Sequence, residues 1–159
     1  MKKKIRWPAL IVSLAVPLGL GGASAALTKN GMRAFQAMAK PPLTPPQWVF
    51  PVVWTALYIL MGIASYLVYV SDASEPRRER ALSLYAIQLL MNFAWSIIFF
   101  SMRAFLAAFV WLLVMLFVIV AAAVRFRCID RRAGSLMLPY AAWVVLAAYL
   151  NMGVYVLNR

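Results

Sequence analysis

The chain has 159 residues, of which 65% are hydrophobic and only 13% charged, against roughly 45–50% and 25% in an ordinary globular domain. A soluble domain of this length has too much surface for its interior to hide that apolar area, so the composition excludes a water-soluble globule and points to lipid as the solvent. The formal charge of +12 would suit a nucleic-acid binder. The basic residues, however, fall in short clusters between long uncharged stretches, the pattern of membrane-protein loops.

A helix needs about 20 apolar residues to cross a bilayer core. The first such stretch, 7–27, follows Lys2, Lys3, Lys4 and Arg6. With its basic start, apolar middle and Ala23-Ser24-Ala25, it imitates a secretory signal peptide with an A-x-A cleavage site. The rival reading is a retained helix. Ala15, Gly19 and Ala23 recur at i, i+4 and i+8, with Gly22 and Ala26 beside them, a small-residue face of the kind that lets helices approach closely in lipid.

An outer loop follows over 28–45 and ends in Lys40-Pro41-Pro42-Leu43-Thr44-Pro45-Pro46-Gln47. Thr44 as N-cap, Pro45 at the first helical position and Gln47 three residues after Thr44 predict a capping-box start for the next helix. The functional alternative is a stiff proline strap over the outer mouth of the bundle.

The remaining spans are 46–70, 81–102, 104–124 and 133–158, none containing a charged residue. Between Ala104 and Val124 lie thirteen Leu, Ile, Val or Phe residues. At roughly −0.45 kcal/mol each they favour insertion by about 6 kcal/mol. The expected architecture is therefore all-α: one polytopic membrane domain over 1–159, built as a five-helix bundle. Eleven basic residues cluster at one end, in Lys2 to Arg6, Arg77 to Arg80 and Arg125 to Arg132, against five at the other. The positive-inside rule then puts the N-terminus in the cytoplasm and the C-terminus outside, and a helical bundle is expected in the cytoplasmic membrane.

Few groups are available for chemistry. There is no histidine and one cysteine, Cys128, so an internal disulfide, cysteine metal sites and the usual general base are missing. The four acids, Asp72, Glu75, Glu79 and Asp130, all fall between the spans, leaving no carboxylate in lipid to relay protons or hold a coupling ion. What the spans do carry is aromatic and amide. Gln88, Asn92, Trp95 and Phe99 share one face of the third span, and Tyr140, Trp143, Ala147 and Asn151 one face of the fifth. Trp54 and Tyr58 are neighbours on the second. Polar groups facing lipid are costly, so these faces should point inward. Residue spacing alone leaves two readings open: interhelical hydrogen bonding, or a ligand pocket. Trp7 and Trp48 are expected in the interfacial belt.

The assembled residues resemble the translocator protein, or tryptophan-rich sensory protein, family. The resemblance rests on Lys40-Pro41, Pro45-Pro46-Gln47-Trp48-Val49-Phe50, Trp54-Thr55-Ala56-Leu57-Tyr58 and Met61-Gly62. It continues through Gln88, Asn92-Phe93-Ala94-Trp95, Phe99-Phe100, Pro139-Tyr140, Trp143, Ala147 and Leu150-Asn151. It implies a five-helix bundle, often a homodimer, that keeps its first helix. It implies a pocket for porphyrin-type tetrapyrroles (protoporphyrin IX or haem as ligand, with no cofactor required) lined by Trp54, Asn92, Trp95, Trp143 and Ala147. The candidate site adds Tyr58, Gln88, Phe99 and Tyr140, with Lys40, Pro41, Pro42, Pro45 and Pro46 as its lid. Two departures stand out. Ala34-Phe35 replaces the family's usual Trp-Tyr pair before Lys-Pro, and Met152 stands where animal members place the tyrosine of their sterol motif.

Three functions follow as expectations. The leading one is a non-enzymatic binder of porphyrins acting as carrier or stress sensor. The second is light- and oxygen-dependent porphyrin breakdown with Trp54 and Trp143 as redox-active side chains. The third is a bundle without a specific small ligand that assembles with partner proteins.

Overall fold

In hydrocarbon every backbone N–H and C=O must find a partner within the protein, which leaves helices as the spanning element for such a sequence. The computed structural model describes residues 5–159, and five of its helices, with no strand among the described residues, are long and apolar enough to cross a membrane. Lys2, Lys3 and Lys4, counted above toward the basic end, lie outside the described residues.

Helix α1 spans Trp7–Leu27 and ends at Thr28, whose hydroxyl donates to the Ser24 carbonyl at 2.8 Å. The outer loop expected over 28–45 is not all loop. An amphipathic helix, α2, occupies Lys29–Gln36, and only the stretch after it is irregular. Helix α3 spans Val49–Tyr69, so the expected capping box does not form. Two local reasons account for this. Thr44 turns its hydroxyl to the Pro41 carbonyl at 2.6 Å, and Pro45, standing before Pro46, is held out of the helical region.

Helix α4 runs Glu75–Ser96, starting a turn and a half before the apolar stretch, so Arg77, Arg78 and Arg80 are helical. Apolarity marks the part of a helix in lipid, not the part projecting into water. Arg78 reaches back to the Tyr69 and Ser71 carbonyls at 3.3 and 3.4 Å, closing the end of α3. After Ser96 the ladder widens into a π turn over Ile97–Ser101, and Arg103, at φ 53°, reverses the chain into α5, Phe105–Ile129. Arg125 and Arg127 again project beyond the apolar part of their helix. The Asp130 carboxylate then caps α6, Arg131–Leu136, accepting from the Arg132 and Ala133 amides. Pro139 sits in the first turn of α7, Leu138–Leu157, so the fifth span is two helices meeting at Met137.

The helices close into a ring. α3 lies between α1 and the α6–α7 pair, α5 between α7 and α4, and α4 completes the circle against α1. The Ala15–Gly19–Ala23 face of α1, with Gly22 and Ala26, points outward and does not make the α1–α3 contact. That contact is made at Gly62 of α3, where a Cβ would lie 2.7 Å from the Ser13 carbonyl, and at Gly21, which faces the Tyr58 ring. The A-x-A triplet lies within continuous helix, with Ser24 buried.

Gly62→Ala is therefore expected to push α1 off α3 and destabilise the protein by about 1–3 kcal/mol, as overpacked contacts do. Gly19→Ala, whose Cβ would meet nothing within 4 Å, is expected to leave stability unchanged or slightly raised. Thermal unfolding in detergent followed by circular dichroism compares the two, and equal losses would contradict this packing.

Candidate functional site

One carboxamide organises the middle of the bundle. Asn92 of α4 accepts from the Tyr58 hydroxyl of α3 at 3.2 Å and donates through Nδ2 to the Tyr140 hydroxyl of α7 at 2.9 Å. Three helices thus meet on one side chain that is 2% exposed. The Trp54 ring, one turn above Tyr58, stacks on it at 5.6 Å and 29° and meets Tyr140 edge-on at 6.2 Å. A second amide works the same way farther from the arginine-rich end. Asn151 of α7 accepts from the Trp95 indole at 3.2 Å and donates to the Phe105 carbonyl at 2.7 Å, joining α4, α7 and α5. Trp95 then stacks on Phe99 at 5.3 Å.

Above these contacts the helices enclose a cavity of about 910 Å³, at the large end of the roughly 300–1,000 Å³ usual for small-molecule sites. Of the residues singled out in the sequence, Trp54, Tyr58 and Asn92 line it, as do Trp95, Phe99, Trp143 and Ala147. Gln88 and Tyr140 do not. Both are fully buried below the floor, Tyr140 holding Asn92 and Gln88 reaching only the Met61 sulfur at 3.7 Å, its Oε1 without a partner among the described residues. Periodicity gave them the right face but could not give depth: each lies one turn toward the basic end from a lining residue, Asn92 or Trp143.

The strap covers the cavity mouth, at the end of the bundle away from the arginine clusters, and is fastened to α7. Asn158 pairs with both backbone groups of Ala39, at 2.8 and 3.1 Å, and the Tyr149 hydroxyl donates to the Pro42 carbonyl at 2.9 Å. The Pro41 ring rests on Gly153, where a Cβ would come within 2.5 Å of it. Lys40 and Pro45 of the proposed lid face the cavity, whereas Pro41, Pro42 and Pro46 do not line it. Pro41 and the Pro42 carbonyl hold the strap down instead. Lys40 is the one charged residue on the wall among the described residues. Its ammonium donates to the Gln36 and Met38 carbonyls at 2.8 and 3.3 Å and sits 5.0 Å over the Phe35 ring.

Several lining residues escaped the sequence reading. Met32, Phe35 and Gln36 come from α2, and their i, i+3, i+4 spacing was a legible signal within a stretch read as loop. Phe35 packs edge-on to Phe99 and Phe100 at 5.5 and 5.7 Å, so an aromatic remains in the lid region despite Ala34-Phe35. Phe100 is turned inward by the π segment, which no spacing announces. Phe50, one turn before Trp54, meets Trp143 edge-on at 5.9 Å. Trp48, expected only in the interfacial belt, is 68% exposed and also borders the mouth.

These features define a class: a five-helix membrane protein with an aromatic cavity near one face, closed by a proline strap. Comparison with known proteins narrows it. The TspO/MBR family model matches residues 13–157. The chain is 35% identical to the tryptophan-rich protein TspO of Chlorobaculum tepidum, over 99% of both chains. It is 34% identical to the tryptophan-rich sensory protein of Cereibacter sphaeroides, over 94% of this chain and 92% of that one. The human translocator protein is 35% identical over 93% of this chain and 88% of its own. The chain belongs to the TspO/MBR family of membrane proteins.

Asn92→Ala leaves the buried Tyr140 phenol and the half-buried Tyr58 phenol without their amide partner and is expected to destabilise the bundle by about 1–3 kcal/mol, given roughly 0.6 to 1.7 kcal/mol per interhelical hydrogen bond in membranes. Gln88→Met removes a buried oxygen without a partner and is expected to be neutral or stabilising. Unfolding in mild detergent ranks the two, and the reverse order would contradict the hydrogen-bond assignment.

Proposed function

We propose that this protein binds porphyrin-type tetrapyrroles in the strap-covered cavity and acts as their carrier or stress sensor in the membrane. The observation that carries the reading is the wall itself. Broad indole and phenyl faces from four helices surround a cavity that has, among the described residues, a single cation, Lys40, near its mouth. A flat apolar macrocycle with acidic side chains matches that pattern: its ring stacks on Trp54, Trp143 or Trp95, and a carboxylate pairs with the Lys40 ammonium. Met32 offers the wall a thioether, a weak haem-iron ligand without a histidine partner, so binding does not depend on the metal. The names translocator and sensory protein, borne by the relatives, suit a binder that carries or signals. Nothing in those names or in the geometry favours the degradative alternative. In this reading the strap faces outward and the basic end the cytoplasm, as the charge asymmetry requires.

Titrating purified protein with protoporphyrin IX while following tryptophan fluorescence tests the proposal. Saturable quenching is expected. Trp143→Ala should weaken binding about tenfold, the size of one lost aromatic face and its contact area. Trp111→Phe, at a position off the wall where the indole donates to the Met91 carbonyl, should leave affinity unchanged. Lys40→Gln should weaken the free diacid but not its dimethyl ester. Absent saturation, or equal losses in the Trp143 and Trp111 variants, would refute a porphyrin site in this cavity.

A further inference from the structure

At the opposite end of the bundle lies a second concavity with different chemistry. A cleft of about 460 Å³ between α4 and α5 is lined by Glu79, Arg80, Ser83, Leu84, Ile87 and Arg125. Arg80 and Arg125 come from different helices, both are exposed, and neither guanidinium has a hydrogen-bond or ion-pair partner among the described residues. Their level in the membrane follows from the sequence. The uncharged stretch of α4 begins at Ala81 and that of α5 ends at Val124, so both arginines stand where hydrocarbon gives way to headgroups. Leu84 and Ile87 follow Arg80 at i+4 and i+7 on the same face of α4, about 6 and 10 Å deeper along the axis. The cleft is thus cationic at the headgroup level, carries a hydroxyl at Ser83, and is alkyl below.

We propose that this cleft binds an anionic phospholipid, its phosphodiester held between Arg80 and Arg125 and an acyl chain lying along Leu84 and Ile87. Charge complementarity selects the occupant. Two guanidinium groups and the Glu79 carboxylate leave the cleft one positive charge in excess, the complement of one phosphodiester. Guanidinium forks match phosphate oxygens in a bidentate manner that a solvated ammonium cannot. Arg77, Arg127, Arg131 and Arg132 surround the same end and raise the local concentration of anionic headgroups without entering the cleft. The site is separate from the aromatic cavity and does not depend on what that cavity holds.

Native mass spectrometry of the detergent-purified protein tests this, titrating phosphatidylglycerol and phosphatidylethanolamine with identical acyl chains. Phosphatidylglycerol is expected to bind more tightly. Arg80→Gln and Arg125→Gln should each weaken it about fivefold, and the pair about twenty-five-fold, the increment expected per basic residue at a membrane surface. Arg127→Gln with Arg131→Gln removes the same charge from the same end without touching the cleft and should weaken binding clearly less than the Arg80/Arg125 pair. Inorganic phosphate at the lipid concentration should not displace the adduct. Should the Arg80/Arg125 pair variant lose its helical circular dichroism, the two single variants decide the matter by the same fivefold criterion. Equal binding of phosphatidylethanolamine, equal losses in the control pair, no loss in the single variants, or displacement by phosphate alone would each overturn the site.

Discussion

The arrangement depends on a hydrogen-bonded carboxamide placed where no water competes for it. Asn92 can satisfy both ends of its amide only if Tyr58 and Tyr140 approach from opposite sides, which fixes the spacing of α3, α4 and α7 at one level of the membrane. In lipid, helices gain little from burying apolar side chains against one another, because acyl chains are as apolar as leucine. Close packing and polar contacts must therefore specify the bundle. Gly62 supplies the first by letting α1 onto α3, and Asn92 and Asn151 supply the second.

The cavity follows from where these amides sit. Below Asn92 the core is filled by side chains such as Met61, Gln88 and Tyr140, all fully buried. Above it the rings stack along their own helices, Trp54 on Tyr58 and Trp95 on Phe99, and wall a space more than they fill it. The cavity mouth is then closed from α7. Asn158 and Tyr149 capture the backbone of the strap, and Gly153 makes room for Pro41. The floor is thus set by hydrogen bonds within the membrane and the roof by hydrogen bonds at its edge.

The five spans were legible because lipid permits nothing else for uncharged stretches of that length, and the inward faces were legible because polar groups there had to turn away from acyl chains. Three things were not. Helix ends differed because Arg77, Arg78 and Arg80 stay helical beyond the uncharged stretch, where hydropathy carries no signal. Thr44 and Gln47 have the spacing of a capping box, but Pro46 disfavours helical backbone at Pro45 and the Thr44 hydroxyl bonds the Pro41 carbonyl instead. Depth was hidden as well. Gln88 and Asn92 share a face of α4, yet one turn decides which lies under the floor and which forms it.

The most direct test of a held-open aromatic cavity is an experimental structure of the protein with protoporphyrin IX bound. The account predicts the macrocycle against the Trp54 and Trp143 rings beneath the strap, a carboxylate at Lys40, and the Tyr58–Asn92–Tyr140 contacts intact below it. A ligand lodged on the outer, lipid-facing surface of the helices, with side chains collapsed into the centre, would contradict it.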